Sequence, residues 1–227
     1  VNRPLAVFDV DGTLVDSRAV IYRAAVEGAA AIGLPEPTYD AVRKIVGLTL
    51  REALSELEPG LTDAELADFV AAFQQSFRRM HEQPGFIEPL YPGAAETLQR
   101  LRRDGWRIAM ATGKSRRGVD AIVRMHGWAD VFCSTHCADD GPGKPHPAML
   151  AAALKAAGVD ARAAVMIGDT AHDMRMAVAA RVRPQGVAWG FHTAEEVLEG
   201  GAVHVADDFD GLNAELDRVA SGVASPA

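Results

Sequence analysis

Four acidic side chains and three donors in this sequence have the types and settings that phosphoryl chemistry uses. Asp9 and Asp11 stand two residues apart in Asp9-Val10-Asp11-Gly12-Thr13, at the end of the apolar run Leu5-Ala6-Val7-Phe8. Asp169 and Asp173 stand four apart in Gly168-Asp169-Thr170-Ala171-His172-Asp173, directly after Val165-Met166-Ile167. Carboxylates gathered in one place are costly unless neutralised, and oxygen donors without a cysteine–histidine set suit Mg²⁺ rather than Zn²⁺. Thr112-Gly113-Lys114 follows Ile108-Ala109-Met110-Ala111, and Lys144 stands in Gly141-Pro142-Gly143-Lys144-Pro145. Thr112, the amide of Gly113 and the Lys144 ammonium are expected to form an opposite wall. Neutral donors plus one compact positive charge suit a phosphoryl group held while a carboxylate attacks. A carboxylate nucleophile divides hydrolysis into two displacements through an aspartyl-phosphate.

These residues form one site only if the fold brings them to one edge. Apolar strand-like runs are expected at 5–8, 107–111, 131–133, 163–167 and 185–189, with helical patterns at 93–104, 116–126, 147–157 and 172–180. That alternation predicts an α/β fold: a Rossmann-like parallel sheet with helices on both faces and right-handed crossovers. Acidic and donor clusters at strand ends then converge on one rim of the sheet. Residues 17–88 read differently, as helices over 17–32, 39–46, 50–58 and 62–82 separated by Pro35, Pro37, Gly47 and Pro59-Gly60. Thr62-Asp63-Ala64-Glu65 is a capping box for the last of these. The expected organisation is a core of residues 1–16 and 89–227 with an inserted all-helical cap domain over 17–88. A cap in that position can close over the site and exclude water. The tail from Ser221 to Ala227 reads as frayed.

Composition narrows the function classes. The chain has 227 residues, 48% of them hydrophobic, and a formal net charge of −8. An acidic balance argues against a nucleic-acid surface, and any positive potential for an anionic substrate must be local. No apolar run approaches the roughly 18 residues of a membrane span, and no secretory leader is evident. Cys133 and Cys137 are the two cysteines, too few for a disulfide scaffold, so a cytoplasmic location is the default. The expected partner is a small phosphorylated metabolite, with neither nucleic acid nor membrane; oligomeric state is left open.

Asp9 to Thr13, Thr112, Lys144 and Asp169 match, in order, the four sequential motifs of the haloacid dehalogenase-like superfamily, which the chain therefore resembles. The resemblance implies that Asp9 is nucleophile and metal ligand, and that Asp11 protonates the leaving alkoxide and later activates water while its backbone carbonyl binds the metal. It further implies that Thr112 and Lys144 hold the transferring phosphoryl group and that Asp169 is the third protein ligand. Asp173 lies behind it or reaches the metal through water. The helical insert matches the family's C1-type cap. Asp16-Ser17, Thr112-Gly113-Lys114-Ser115, Lys144-Pro145-His146-Pro147 and Val187-Ala188-Trp189-Gly190 are closer to its phosphoglycolate phosphatase-like branch. There the helix after the last acidic motif ends Ala-Gly-Val, whereas this chain reads Ala180-Arg181-Val182; a glycine would serve as the left-handed cap.

The implied activity is Mg²⁺-dependent hydrolysis of a small phosphate monoester, with phosphoglycolate the first substrate to try. A sugar phosphomutase of the β-phosphoglucomutase type shares the same core and cap and is the alternative. A dehalogenase needs no acid at Asp11. A receiver-type phospho-switch is shorter and places its acidic pair before the phosphorylated strand. Plainer readings accompany several residues. His172 is expected at the surface, and Ser17 and Asp16 as caps of the first inserted helix. Arg43, Lys44 and Arg51 read as a solvated basic face. Lys114 stands open between substrate contact and a structural or exposed role. Trp189-Gly190 is expected to shape a loop beside the pocket.

Overall fold

The computed structural model describes residues 3–222. The chain runs β1 (Leu5–Phe8), α1 (Arg18–Ala31), α2 (Tyr39–Ile45), α3 (Leu50–Leu57), α4 (Asp63–His81), α5 (Ala94–Arg103), β2 (Arg107–Ala111), α6 (Arg116–Met125) and β3 (Ser134–His136). It continues through α7 (Ala148–Ala157), β4 (Ala164–Gly168), α8 (Ala171–Ala179), β5 (Arg183–Val187), α9 (Ala194–Glu199), β6 (His204–Ala206) and α10 (Phe209–Ala220). Among the described residues no helix is long and apolar enough to cross a membrane.

All six strands form one parallel sheet in the order β3-β2-β1-β4-β5-β6. Every residue of β1 is buried, because a central parallel strand is covered on both faces and has no side to leave polar. On one face Ala6 and Phe8 pack with Leu98 and Leu101 of α5, Ile122 of α6 and Leu212 and Leu216 of α10. On the other, Leu5 and Val7 pack with Leu150 and Ala153 of α7 and Met176 and Ala177 of α8. The chain leaves β1 toward β2 and β3 in one direction and returns through β4 to β5 and β6 in the other. The sheet therefore reverses its order between β1 and β4, and a crevice opens there at the carboxyl ends of the strands.

Helices α1 to α4 stand between β1 and α5 in sequence. They bury their own apolar cluster, centred on Ala29, Leu54, Leu66 and Phe69. The Thr62–Glu65 capping box opens α4 as expected: Thr62 N donates to Glu65 Oε2 at 2.8 Å, and Glu65 N donates back to Thr62 Oγ1 at 3.3 Å.

The structure departs from the sequence expectations in a few places. The strand expected at 131–133 lies at Ser134–His136, because Val131 and Phe132 pack against the hydrophobic core from the preceding turn. The strand expected at 185–189 begins and ends two residues earlier. Helix α10 was not read from the sequence, although Phe209, Leu212 and Leu216 repeat at helical spacing and are buried. Residues 223–227 of the tail lie outside the described residues.

Arg181 closes α8 in the left-handed region at φ +58°, with Val182 N donating to Ala177 O at 2.9 Å. This is the helix-ending geometry that glycine adopts without steric cost. Arg181→Gly is expected to stabilise the fold by about 1 kcal/mol, the Cβ penalty relieved at such a position. Thermal unfolding is the check, and an unchanged or lowered Tm is the contrary result.

Candidate active site

Asp9 is the first residue beyond β1, and its backbone N–H donates to Ile167 O of β4 at 2.9 Å. That pairing, together with the Phe8–Ile167 register, places Asp9 beside Gly168-Asp169 across the crevice. Gly12 turns the chain back at φ +81°, and a Cβ there would lie 2.1 Å from Asp169 Oδ2. Only glycine lets the first acidic loop approach the last one so closely. Asp169 Oδ1 accepts from Thr13 Oγ1 and Oδ2 from Phe191 N, both at 2.8 Å. Asp173 sits one helical turn on. Thr170 and Asp173 form a capping box at the start of α8, with Thr170 Oγ1 donating to Asp173 Oδ2 at 2.6 Å. Asp173 is therefore both a helix cap and a member of the cluster.

Asp9, Asp169 and Asp173 are buried, and one oxygen from each lies within 4.8 Å of the others. The Lys144 ammonium reaches into this group, 2.8 Å from Asp9 Oδ1 and 2.6 Å from Asp173 Oδ1. Lys144 thus stands among the carboxylates, not on a wall opposite them, because a buried cation settles where the negative charge is densest. Three carboxylates against one ammonium leave two negative charges, which a divalent cation would balance. Asp9 Oδ2, though buried, accepts no hydrogen bond. The donor set is all oxygen, as a hard cation prefers. These residues fit a divalent metal.

The electrostatics agree with that charge count. Burial, reinforced by the Asp173 and Asp11 charges, pushes Asp9 up to about 7 against the pull of Lys144. Burial and the neighbouring Asp9 and Asp173 hold Asp169 well above the usual carboxylate range. Burial alone would pull Lys144 down, but Asp173 and Asp9 outweigh it and keep the ammonium charged.

Asp11 is placed apart from these three. Its Oδ1 lies 2.9 Å from the ammonium of Lys114, so the Lys114 side chain is buried and ion-paired rather than exposed. Thr112 follows β2, fully buried, and its hydroxyl oxygen accepts from Lys114 N at 3.2 Å. Gly113 faces the turn between α2 and α3: a Cβ there would meet Leu48 O at 2.6 Å. A Cβ on Gly143 would meet Thr49 Cγ2 at 2.4 Å, so the same turn rests on both donor-bearing loops. Beneath the inserted helices lies a cavity of about 750 Å³, floored by Asp9 and Asp11 and walled by Val46, Leu48, Phe77 and Lys114.

Several residues given plainer readings have different surroundings. His172 is buried, with Nε2 3.2 Å from Lys44 O, because α2 covers the start of α8. Arg43 is not solvated: it makes a two-pronged pair with Glu196 at 2.7 and 3.1 Å, tying α2 to α9. Lys44 and Arg51 do stay exposed, paired with Asp40 and Asp63. Ser17 occupies the cap position of α1 without a side-chain cap bond, whereas Asp16 Oδ1 accepts from Arg18 N at 3.4 Å and the Asp16 carboxylate also pairs with the Arg18 guanidinium at 2.6 Å. Trp189 Nε1 donates to Thr13 O at 3.0 Å, bracing the first acidic loop. Thr13, the Phe191 amide and Glu88 were not singled out in the sequence. Thr13 stands inside the first motif and was within reach; nothing in the spacing of Glu88 linked it to this site.

Comparison with known proteins adds to the geometry. A family model for haloacid dehalogenase-like hydrolases matches residues 4–181. The chain is 32% identical over 211 residues to a Dickeya dadantii protein named "Probable phosphatase IndB", covering 91% of this chain and 90% of that one. It is 32% identical over 218 residues to a phosphoglycolate phosphatase of Agrobacterium fabrum, covering 94% and 92%. Among solved structures, a hydrolase from Pseudomonas syringae superposes with a TM-score of 0.85 at 24% identity, covering 95% of this chain and 99% of that one. At that identity the likeness concerns the fold.

Proposed function

Because this chain belongs to the haloacid dehalogenase-like hydrolase family and is a hydrolase of the phosphatase kind, we propose that it hydrolyses a small phosphate monoester through Asp9 with the help of Mg²⁺. The observation that carries this reading is the buried trio Asp9, Asp169 and Asp173 around Lys144, with Asp9 Oδ2 left without a hydrogen bond. A buried carboxylate flanked by a fixed cation is set to attack phosphorus. Asp9, Asp169 and the Asp11 carbonyl would hold Mg²⁺, with Asp173 behind them, and the ion would supply positive charge at the phosphoryl oxygens. Lys144, Thr112 and the Gly113 amide would hold the same oxygens.

In the first displacement an Asp9 oxygen bonds to phosphorus, the ester P–O bond breaks, and Asp11 gives its proton to the departing alkoxide. In the second, Asp11 takes a proton from water, which attacks phosphorus and returns Asp9 as a carboxylate with release of inorganic phosphate. Residues 17–88 would serve as a cap domain over a core of 1–16 and 89–227. Their burial of a separate apolar cluster and their place over the cavity support that division. The likeness to phosphoglycolate phosphatases makes phosphoglycolate the first ester to test.

The test is phosphate release from a panel of small phosphate esters, with and without Mg²⁺. Expected are turnover with Mg²⁺, its loss in excess chelator and its recovery on adding the metal back. Full activity in chelator removes the metal from the reading. A binding readout accompanies it. Protons compete with metal for carboxylates whose pKa values are raised, so Mg²⁺ is expected to raise Tm more at pH 8 than at pH 5. An equal gain at both is the contrary result.

A further inference from the structure

The carboxylate of Glu88 has no part in the steps above, and its surroundings give it one. Glu88 is 1% exposed and lies in the segment that returns the chain from α4 to α5. His81, in the last turn of α4, places Nε2 2.7 Å from Glu88 Oε1. On the other side Lys114 Nζ lies 3.8 Å from Glu88 Oε2 and 2.9 Å from Asp11 Oδ1. The same ammonium stands over the Phe77 ring of α4, 5.3 Å from its centre.

A buried glutamate is costly, and an apolar residue of similar size would pack at least as well. Burial pushes the Glu88 carboxyl up, yet Lys114 and His81 outweigh it and keep it below the ordinary range. One ammonium thus lies between two carboxyl groups, Asp11 in front and Glu88 behind. The root of Lys114 is fixed by its N–H bond to Thr112 Oγ1; Glu88 and Phe77 fix its tip.

We infer that Glu88 is a positioning residue for departure of the leaving group: by holding the Lys114 ammonium from behind, it fixes the Asp11 carboxyl where the ester oxygen leaves phosphorus. The inference rests on the role proposed for Asp11. No proton passes through Glu88 or Lys114. The transferred proton moves from Asp11 to the ester oxygen as the P–O bond breaks and the Asp9–phosphorus bond forms. A misplaced acid loses rate steeply, up to about 100-fold for a displacement near 1 Å.

The experiment compares kcat/KM of the full-length, Mg²⁺-loaded protein on ethyl phosphate, whose leaving group needs a proton, and on p-nitrophenyl phosphate, whose leaving group departs unaided. Glu88→Gln is expected to lower kcat/KM about tenfold or more on ethyl phosphate and less than about threefold on p-nitrophenyl phosphate, the pattern of a weakened acid. Asp11→Asn, run alongside, is expected to show the same selectivity more strongly. Equal losses on both esters for Glu88→Gln, or no loss, overturn the inference while a selective Asp11→Asn leaves the role of Asp11 standing. Equal losses for Asp11→Asn overturn that role and the inference with it. Should Glu88→Gln fail to fold, Lys114→Met removes the same link and is read by the same ratio.

Discussion

Asp9→Asn is expected to abolish phosphatase turnover, by roughly 10³-fold or more, while leaving the protein folded. Asparagine keeps the size of the side chain and its backbone bond to Ile167 O, but its amide is no nucleophile toward phosphorus. The same substitution tests the electrostatics of the metal-free protein. Asp9 is pushed up to about 7 from an ordinary 3.8 by its burial, so the folded state binds this proton more tightly than the unfolded state. A carboxyl with a raised pKa costs nothing below the unfolded value and destabilises progressively as pH climbs from about 4 to about 7. Asn at position 9 carries no such penalty. The Tm of Asp9→Asn relative to the parent is therefore expected to improve from pH 4 to pH 8 in chelator. A variant that still turns over, or traps a covalent phosphoryl group, removes Asp9 as nucleophile. A Tm difference that does not change with pH removes the electrostatic account.

Lys144→Met should show the largest loss of stability. The Lys144 side chain is wholly buried and lies against Asp9 and Asp173. Removing one partner of a buried ion pair leaves the other uncompensated, at a cost of about 3–5 kcal/mol. Here two carboxylates lose their counterion together, and Asp169 stands within the same 4.8 Å group. Asp9, already pushed up to about 7, escapes the penalty by taking up a proton, so the deficit is expected to be greatest near pH 8 and to shrink on acidification. Adding Asp173→Asn to Lys144→Met removes one of the stranded charges and is expected to recover part of the lost Tm; a double variant no more stable than the single would contradict this. Phosphate release is expected to vanish in Lys144→Met, since the ammonium beside Asp9 that would hold the phosphoryl oxygens is gone. A Tm at pH 8 equal to that of the parent would dissociate Lys144 from the carboxylates altogether.

The two expectations differ in how far the sequence could support them. Asp9 was legible because local rules place it: a continuous apolar run must be a central strand, and an Asp-x-Asp-Gly break must stand at its end. The same rules located Asp169, Thr112 and the Thr62 helix start. Helix α10 escaped although its apolar spacing was regular, and β6 escaped because three residues at a sheet edge carry little pattern. Arg181 was legible as an exception, since a left-handed helix end has a sequence signature that this chain breaks.

The amino-acid order by itself thus determined the parallel sheet, the helical insert and which side chains gather at the strand ends, because strand burial, capping and turn chemistry act over a few neighbouring residues. Only the tertiary structure decided which charges pair. Lys144 settles between Asp9 and Asp173, Lys114 turns to Asp11 and Glu88, and Arg43 reaches Glu196. These partners lie from 26 to 153 positions apart by number. Electrostatic pairing depends on distance and burial in space, which no local spacing encodes.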